Sequence, residues 1–263
     1  KKMNWRNLIA SGLVATMMVT PVAAQSKKDA EIGKTAEELF ESALEGAKEG
    51  RAREQLAVAI RYETGDGVKQ DSQKATAWLK KAVIQEHPQA TARLAWHYMQ
   101  GIGVLRNFPE ADRLYREAYE LGVRGAAVNL AALYRKGGAG IDQNYAESVF
   151  WAKRAADAGN PRGQNILGEL IRDGRGIRQS FQGALELFEL AAAKRLPAAE
   201  YNASAVLRNG VGVKRDEKKA MVYLKRAAGA GHAAAMVDLG LAYAEGNGVA
   251  KSTKTSIQWF RKA

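Results

Sequence analysis

The stretch YETGDGVKQDSQKATAWLKKA, Tyr62 to Ala82, sets two glycines and a valine ahead of an amphipathic run that carries lysines. A phosphate-cradling loop of this composition would follow a strand and open a helix whose first amides meet the anion. The residues before Gly65 repeat instead at helical spacing, Leu56, Ala59, Ile60 and Tyr62, so the loop joins helix to helix. Nor is the stretch unique. Gly65 and Gly67 return as Gly101 and Gly103, Gly137 and Gly140, Gly174 and Gly176, Gly210 and Gly212, and Gly246 and Gly248. The period is 36 residues, broken by one extra residue in GGAGI, Gly137 to Ile141. A fixed period of this size marks stacked supersecondary units, and the stretch is an inter-helix turn.

Each column of the repeat does something a helical hairpin requires. Val58, Leu94, Leu130, Leu167, Ala203 and Leu239 precede the first glycine by seven residues, and Tyr62, Tyr98, Tyr134, Ile171, Leu207 and Tyr243 precede it by three. That four-residue step predicts the buried face of a first helix. Ala59, Ala95, Ala131, Gly168, Ser204 and Gly240 are small enough for neighbouring helices to approach closely. After the second glycine come Asp71, Asn107, Asn144, Ser180, Asp216 and Ser252, all side chains that accept the orphan amides of a helix start. Glu110 and Glu147 stand where a capping-box partner would. A second helix follows, with Trp78, Leu114, Trp151, Leu187, Tyr223 and Trp259 in one column and Ala82, Ala118, Ala155, Ala191, Ala227 and Ala263 in another. Gly122, Gly159 and Gly231 end it, with Arg195 in place of the glycine in one copy.

The pattern LAxxYxxGxGVxxDxxKAxxWxxKAA resembles the Sel1-like repeat, a relative of the tetratricopeptide repeat, over about residues 53–263. Departures are local: the insertion at Gly138 or Ala139, Leu114 and Leu187 in the tryptophan column, and Arg195. The resemblance implies an all-α fold, an α/α solenoid wound as a right-handed superhelix of helix-turn-helix repeats. Such arrays bind other chains along extended surfaces.

The 263 residues carry 40 Lys and Arg against 28 Asp and Glu, a net charge of +12, and no cysteine. Lys1, Lys2 and Arg6, the apolar run Leu8 to Val19 and the small residues Val22, Ala23 and Ala24 predict a secretory signal peptide over residues 1–24. The missing methionine at position 1 implies that the true start lies upstream. Removal of three cationic residues takes the charge from +12 to +9, so the exported chain stays basic and favours acidic partners. Export argues against nucleic acid; cleavage would leave no segment to insert in a membrane, and an uncleaved anchor is the other reading, against which the apolar run falls short of a membrane span. Residues 25–52 read as a linker and an acidic amphipathic helix capping the first repeat, and residues 53–263 as six repeats forming one solenoid domain.

His87, His97 and His232 are dispersed, His87 and His232 near turns where a ring is solvated, and none has a companion at metal-ligand spacing. No nucleophile motif accompanies Ser148, Ser180 or Ser204. Neither a cofactor nor a metal nor an enzymatic activity is expected. Candidate contacts lie where the repeats differ. Two residues before the first glycine, Arg135, Arg172 and Arg208 recur, as a partner-binding ladder of guanidinium forks or as cations complementing the last turn of the first helix. Trp96, flanked by Arg93 and His97, stands in a column otherwise filled by Ile60, Ala132, Glu169, Ala205 and Leu241, as a gap filler or an interfacial anchor.

An exported Sel1-like chain of this size, without cysteines, is similar to periplasmic regulators within that family. The similarity implies a negative regulator of exopolysaccharide production. Its partner would be the periplasmic domain of a membrane sensor histidine kinase in a two-component system. An envelope-assembly or scaffolding adaptor is the other reading of the same repeats.

Overall fold

The computed structural model describes residues 35–263, so the expected signal peptide and the start of the linker lie outside the described residues. Thirteen α-helices follow one another, and an isolated antiparallel bridge between Gly138 and Ile141 is the only β pairing among the described residues. They are α1 Ala36–Lys48, α2 Ala52–Thr64, α3 Ser72–Val83, α4 Pro88–Gln100, α5 Phe108–Glu120, α6 Ala126–Lys136 and α7 Tyr145–Asp157. The chain continues through α8 Pro161–Asp173, α9 Phe181–Ala193, α10 Pro197–Asn209, α11 Glu217–Gly229, α12 Ala233–Glu245 and α13 Thr253–Lys262. From α2 onward first helices alternate with second helices, as the repeat columns require. The fold is an all-α repeat solenoid. Two compact units are distinguished, one reaching Leu130 and including Gly137–Asp142, the other comprising Ala131–Lys136 and Gln143–Ala263.

The loop chemistry answers the opening stretch directly. All six N-cap residues accept helix amides, Asp71 from Gln73 and Lys74, Asn107 from Glu110, Asn144 from Glu147, Ser180 from Gly183, Asp216 from Lys219 and Ser252 from Thr255. The N–H of each cap also donates back to the carbonyl three residues before the first glycine, from Asp71 to Tyr62 at 2.9 Å through Ser252 to Tyr243 at 2.8 Å. The loop's donors thus close on the protein itself. The second glycine answers a steric need: a Cβ on Gly103, whose φ is 64°, would land on the carbonyl of Ser72 at the start of the preceding second helix. The capping box forms at Thr35 and Glu38, ahead of α1, while Glu110 turns outward to Arg113 at 2.8 Å. The extra residue in Gly137–Ile141 is absorbed by the bridge, where the Gly138 and Ile141 amides donate to each other's carbonyls at 2.8 and 2.9 Å.

In the first unit, α1 lays Phe40 and Ala47 on Val58 and Tyr62, with Phe40 meeting Tyr62 edge-on at 5.3 Å. The acidic amphipathic segment therefore covers α2 as a cap. In the second helices Leu79, Tyr115, Ala152, Phe188 and Leu224, one residue beyond the tryptophan column, are buried, as are Leu114 and Trp151 in that column itself, whereas Trp78, Leu187 and Tyr223 are half-buried and Phe260 is exposed.

Arg195, which replaces the terminating glycine after α9, holds a φ of 60°, a left-handed conformation that costs an L-residue about 1–2 kcal/mol. Its side chain is exposed. Arg195→Gly should therefore stabilise the chain by about 0.5–1 kcal/mol, after subtracting glycine's extra unfolded-state entropy. A rise in the urea midpoint at unchanged slope would show it, and a fall would mean that the Arg195 side chain contributes contacts of its own.

Candidate functional site

Between α2 and α4 of the first unit lies a polar cluster with little access to water. Glu63, in the last turn of α2, accepts a hydrogen bond from Arg93 Nε shared between its two oxygens at 2.8 Å and another from Arg93 Nη2 at 2.5 Å, and lies 3.0 Å from Nε2 of His97. Glu63 and Arg93 are each 15 % exposed, and the His97 side chain is 1 % exposed. Nδ1 of His97 sits 2.6 Å from Oγ1 of Thr76 on α3, and the same hydroxyl lies 2.9 Å from the carbonyl of Ile102 in the following loop. With its hydrogen on Nε2 the ring donates to Glu63, and Nδ1 then competes with the Ile102 carbonyl for the single hydroxyl hydrogen of Thr76. Burial alone would raise the Glu63 pKa, but the His97 hydrogen bond and the Arg93 guanidinium outweigh it and hold the carboxyl below its ordinary range. The carboxylate joins α2 to α4, and His97 carries the link on to Thr76 of α3.

The second unit repeats this seam with the charges exchanged. Arg208 Nη2 donates to Asp238 at 3.0 Å, and Arg172 Nη1 donates to Asn202 at 3.2 Å. Both pairs, like Glu63 with Arg93, join residues thirty apart in sequence, so the position two before the first glycine meets the position eight before it in the next repeat. Where that second position holds Ile166, Arg135 turns to Glu169 instead. Asn165 and Asn202 complete the network, Asn202 donating to Asn165 at 2.9 Å and to Glu169 at 3.1 Å, and Asn165 donating to Glu169 at 2.9 Å. Arg172 also donates to Asp173 at 2.7 Å, and that hydrogen bond raises its pKa against the opposing effect of burial. In the first unit the same register pairs Met99 with Asn129, whose Oδ1 is buried without a donor.

Each arginine of the expected ladder is thus anchored from within by the next first helix. Arg135, Arg172 and Arg208 nevertheless keep 37, 29 and 44 % of their side chains exposed. Arg93 and His97 are brought together on Glu63, and His97 is closed to any partner's surface, while Trp96 beside them is half-buried. Glu63, Thr76, Asn165, Glu169, Asn202 and Asp238 belong to the seam and escaped the column-by-column reading. Complementarity across a thirty-residue offset finds Glu63, Asn202 and Asp238, whereas Thr76, Asn165 and Glu169 join at other spacings.

His87 and His232 are not simply solvated. Each is the N-cap of a first helix, with Nδ1 accepting the amide of Ala90 at 3.4 Å and of Ala235 at 3.2 Å. His232 also stacks on Tyr201 at 4.7 Å. Burial lowers the pKa of both, which favours the neutral ring that this acceptor role needs. Among the described residues no group of His, Asp and Glu could hold a metal ion, and no helix is long and apolar enough to cross a membrane.

The Sel1 repeat model matches residues 52–87, 88–123, 125–160, 161–195, 197–232 and 233–263. Similar solved structures include a Sel1 repeat protein from Oxalobacter formigenes, 26 % identical with a TM-score of 0.76, covering 81 % of this chain and 85 % of that one. A protective antigen of uropathogenic Escherichia coli, described as displaying an SLR fold, is 25 % identical with a TM-score of 0.74, over 87 % of this chain. The match spans about half, 49 %, of that antigen's length. An immunity protein from Pseudomonas aeruginosa shares the fold at 21 % identity and a TM-score of 0.54, over 80 % of this chain and 79 % of its own. None of the curated proteins compared with the chain matches it. Six matched repeats, each with its capped turn, show that the chain belongs to the Sel1 repeat family of protein-binding repeat scaffolds.

Proposed function

We propose that this scaffold works in the periplasm as a negative regulator of a membrane sensor histidine kinase, in the manner of the exopolysaccharide regulator ExoR. It would bind the kinase's periplasmic domain and hold two-component signalling off. The observation that carries the reading is the exposed edge of the arginine seam in the second unit. Arg135 and Arg208 are each held by one carboxylate and Arg172 by Asn202 and Asp173, which restricts the guanidinium, while 37, 44 and 29 % of the respective side chains still face water. A preorganised row of forks is suited to carboxylates on a partner, because little further side-chain freedom is lost on binding. The basic balance of the chain, 40 Lys and Arg against 28 Asp and Glu, steers acidic domains toward it.

In-cell crosslinking followed by mass spectrometry of captured inner-membrane proteins tests the proposal. A sensor kinase is the expected dominant partner, and its capture should fall in an Arg135→Gln, Arg172→Gln, Arg208→Gln variant whose helical circular dichroism is unchanged. Capture of several envelope-assembly proteins without a kinase would replace this reading with that of an adaptor. Purified kinase domain should also bind more weakly as salt rises, since exposed ion pairs are screened over a shorter distance.

A further inference from the structure

The second unit carries a second basic feature, on the edge formed by the turns between first and second helices. Arg178 lies in the α8–α9 turn, Lys214 and Lys218 in the α10–α11 turn and the first turn of α11, and Lys251 and Lys254 in the corresponding positions around α13. All five are exposed. The other cations of this edge are engaged: Arg175 with Asp173, Arg215 with Glu217, and Lys219 with Glu189. The five named residues enter no ion pair among the described residues, and the acids closest in sequence are committed elsewhere, Glu217 to Arg215 and Asp216 to the Lys219 amide. Second helices α9, α11 and α13 all start on this edge, which adds the positive ends of their dipoles to the same line. At the tip of the α10–α11 turn, Val211 stands 54 % exposed among these cations.

We propose that this edge docks peripherally on an anionic phospholipid surface. Four of the five free cations are lysines, which are strongly hydrated point charges on flexible stems rather than planar forks. Lysine is depleted, and aromatic residues and arginine enriched, where proteins meet stereospecifically, and this edge offers neither an aromatic anchor nor a free arginine row. A fluid sheet of phosphodiester headgroups makes no demand for a fixed geometry and attracts each lysine held near it. The single exposed valine supplies a shallow apolar contact at the headgroup level. The edge adjoins the arginine seam, Arg208 and Asp238 sharing a cavity with Arg215 and Glu217, but the five free cations are residues the seam does not use.

The test uses the full chain and protein-free vesicles, so its result does not depend on any kinase. Co-sedimentation is compared with vesicles of phosphatidylcholine alone and with vesicles containing about one-third phosphatidylglycerol. A Lys214→Glu, Lys218→Glu, Lys254→Glu variant is set against a control of equal charge change, Lys153→Glu, Lys225→Glu, Arg261→Glu, on the exposed faces of α7, α11 and α13. Binding of the unmodified chain should require phosphatidylglycerol and weaken with salt. The edge variant should bind about 100-fold more weakly, at several-fold per lysine, and the control less than about threefold. Equal losses in both variants would reduce the effect to overall basicity and overturn the proposal. So would the absence of binding to phosphatidylglycerol vesicles, or binding that the edge variant retains.

Discussion

Glu63→Ala should cost the first unit about 3 kcal/mol, because it leaves the largely buried Arg93 and His97 facing a cavity with no anion. The low end of the range for breaking a buried pair applies, since Glu63 and Arg93 each retain 15 % exposure. Arrays of this kind transmit stability between nearest neighbours. Hydrogen exchange should therefore accelerate most in α2, α3 and α4, which Glu63, Thr76 and His97 tie together, and much less in α9 to α11. High salt distinguishes this pair from an exposed one. The bonds of Arg113 to Glu110 and Glu117 lie on the surface of α5, at 58 % exposure of the arginine, and salt screens them. The loss caused by Glu63→Ala should persist in 1 M salt, where the screening length is about 3 Å. A loss below about 1 kcal/mol would show that water reaches the cluster and replaces the carboxylate.

The same cluster fixes a pH dependence. Glu63 titrates lower in the folded chain than its ordinary value of 4.5, so its contribution is complete above that value and disappears as the pH falls through the folded pKa. The groups facing it are the Arg93 guanidinium and the His97 ring, both from α4. The stability difference between the unmodified chain and Glu63→Gln should therefore be constant near neutrality and narrow below about pH 4.5. Chemical denaturation at a series of pH values reads it out. A gap that widened on acidification would mean that the folded carboxyl titrates above the unfolded one.

The fold was legible because the repeat encodes local chemistry six times over. N-caps such as Asp71 and Ser252 and turn glycines such as Gly65 act within a few residues of themselves, where sequence spacing and spatial contact coincide. The depth of the core was less legible. The column of Trp78 holds the largest side chains, yet Trp78 itself is half-buried and the Leu79 beside it is closed to solvent, while Trp151 in the same column is buried. The seam was hidden for a different reason. Reading Arg135, Arg172 and Arg208 down one column compares residues that are equivalent, whereas the contacts join residues that are not, thirty positions apart and in different registers. Arg208 with Asp238 and Glu63 with Arg93 become conspicuous once the offset is known, while Arg135 with Glu169 breaks the offset because Ile166 holds the usual partner's place. His87 and His232 escaped because a histidine accepts a helix amide only as the neutral ring, a role that spacing alone does not reveal.

Phe188→Ala should destabilise the second unit by about 3–5 kcal/mol, the range for emptying a large buried aromatic site. The ring is fully buried among Ala184, Leu185, Ala203, Val206, Leu207 and Ala220, of which three are alanines with no side chain long enough to fill the space. Opposite it, Gly168 in α8 has no side chain, and a Cβ there would sit 2.6 Å from Cε1 of Phe188. Gly168→Ala consequently sets two effects against each other. Helix propensity favours alanine by about 1 kcal/mol, and overpacking against an immobile ring costs about 1–3 kcal/mol. The net expectation is destabilisation by about 1 kcal/mol, the reverse of what a helical glycine replacement usually gives. Combining the two substitutions separates this from a backbone effect. With the ring gone the new methyl gains room and fills part of the cavity, so the double variant should be more stable than the sum of the single losses by at least about 1 kcal/mol. Strict additivity would mean that Gly168 is required for its backbone, and that the small-residue column sets helix spacing without reference to the ring it faces.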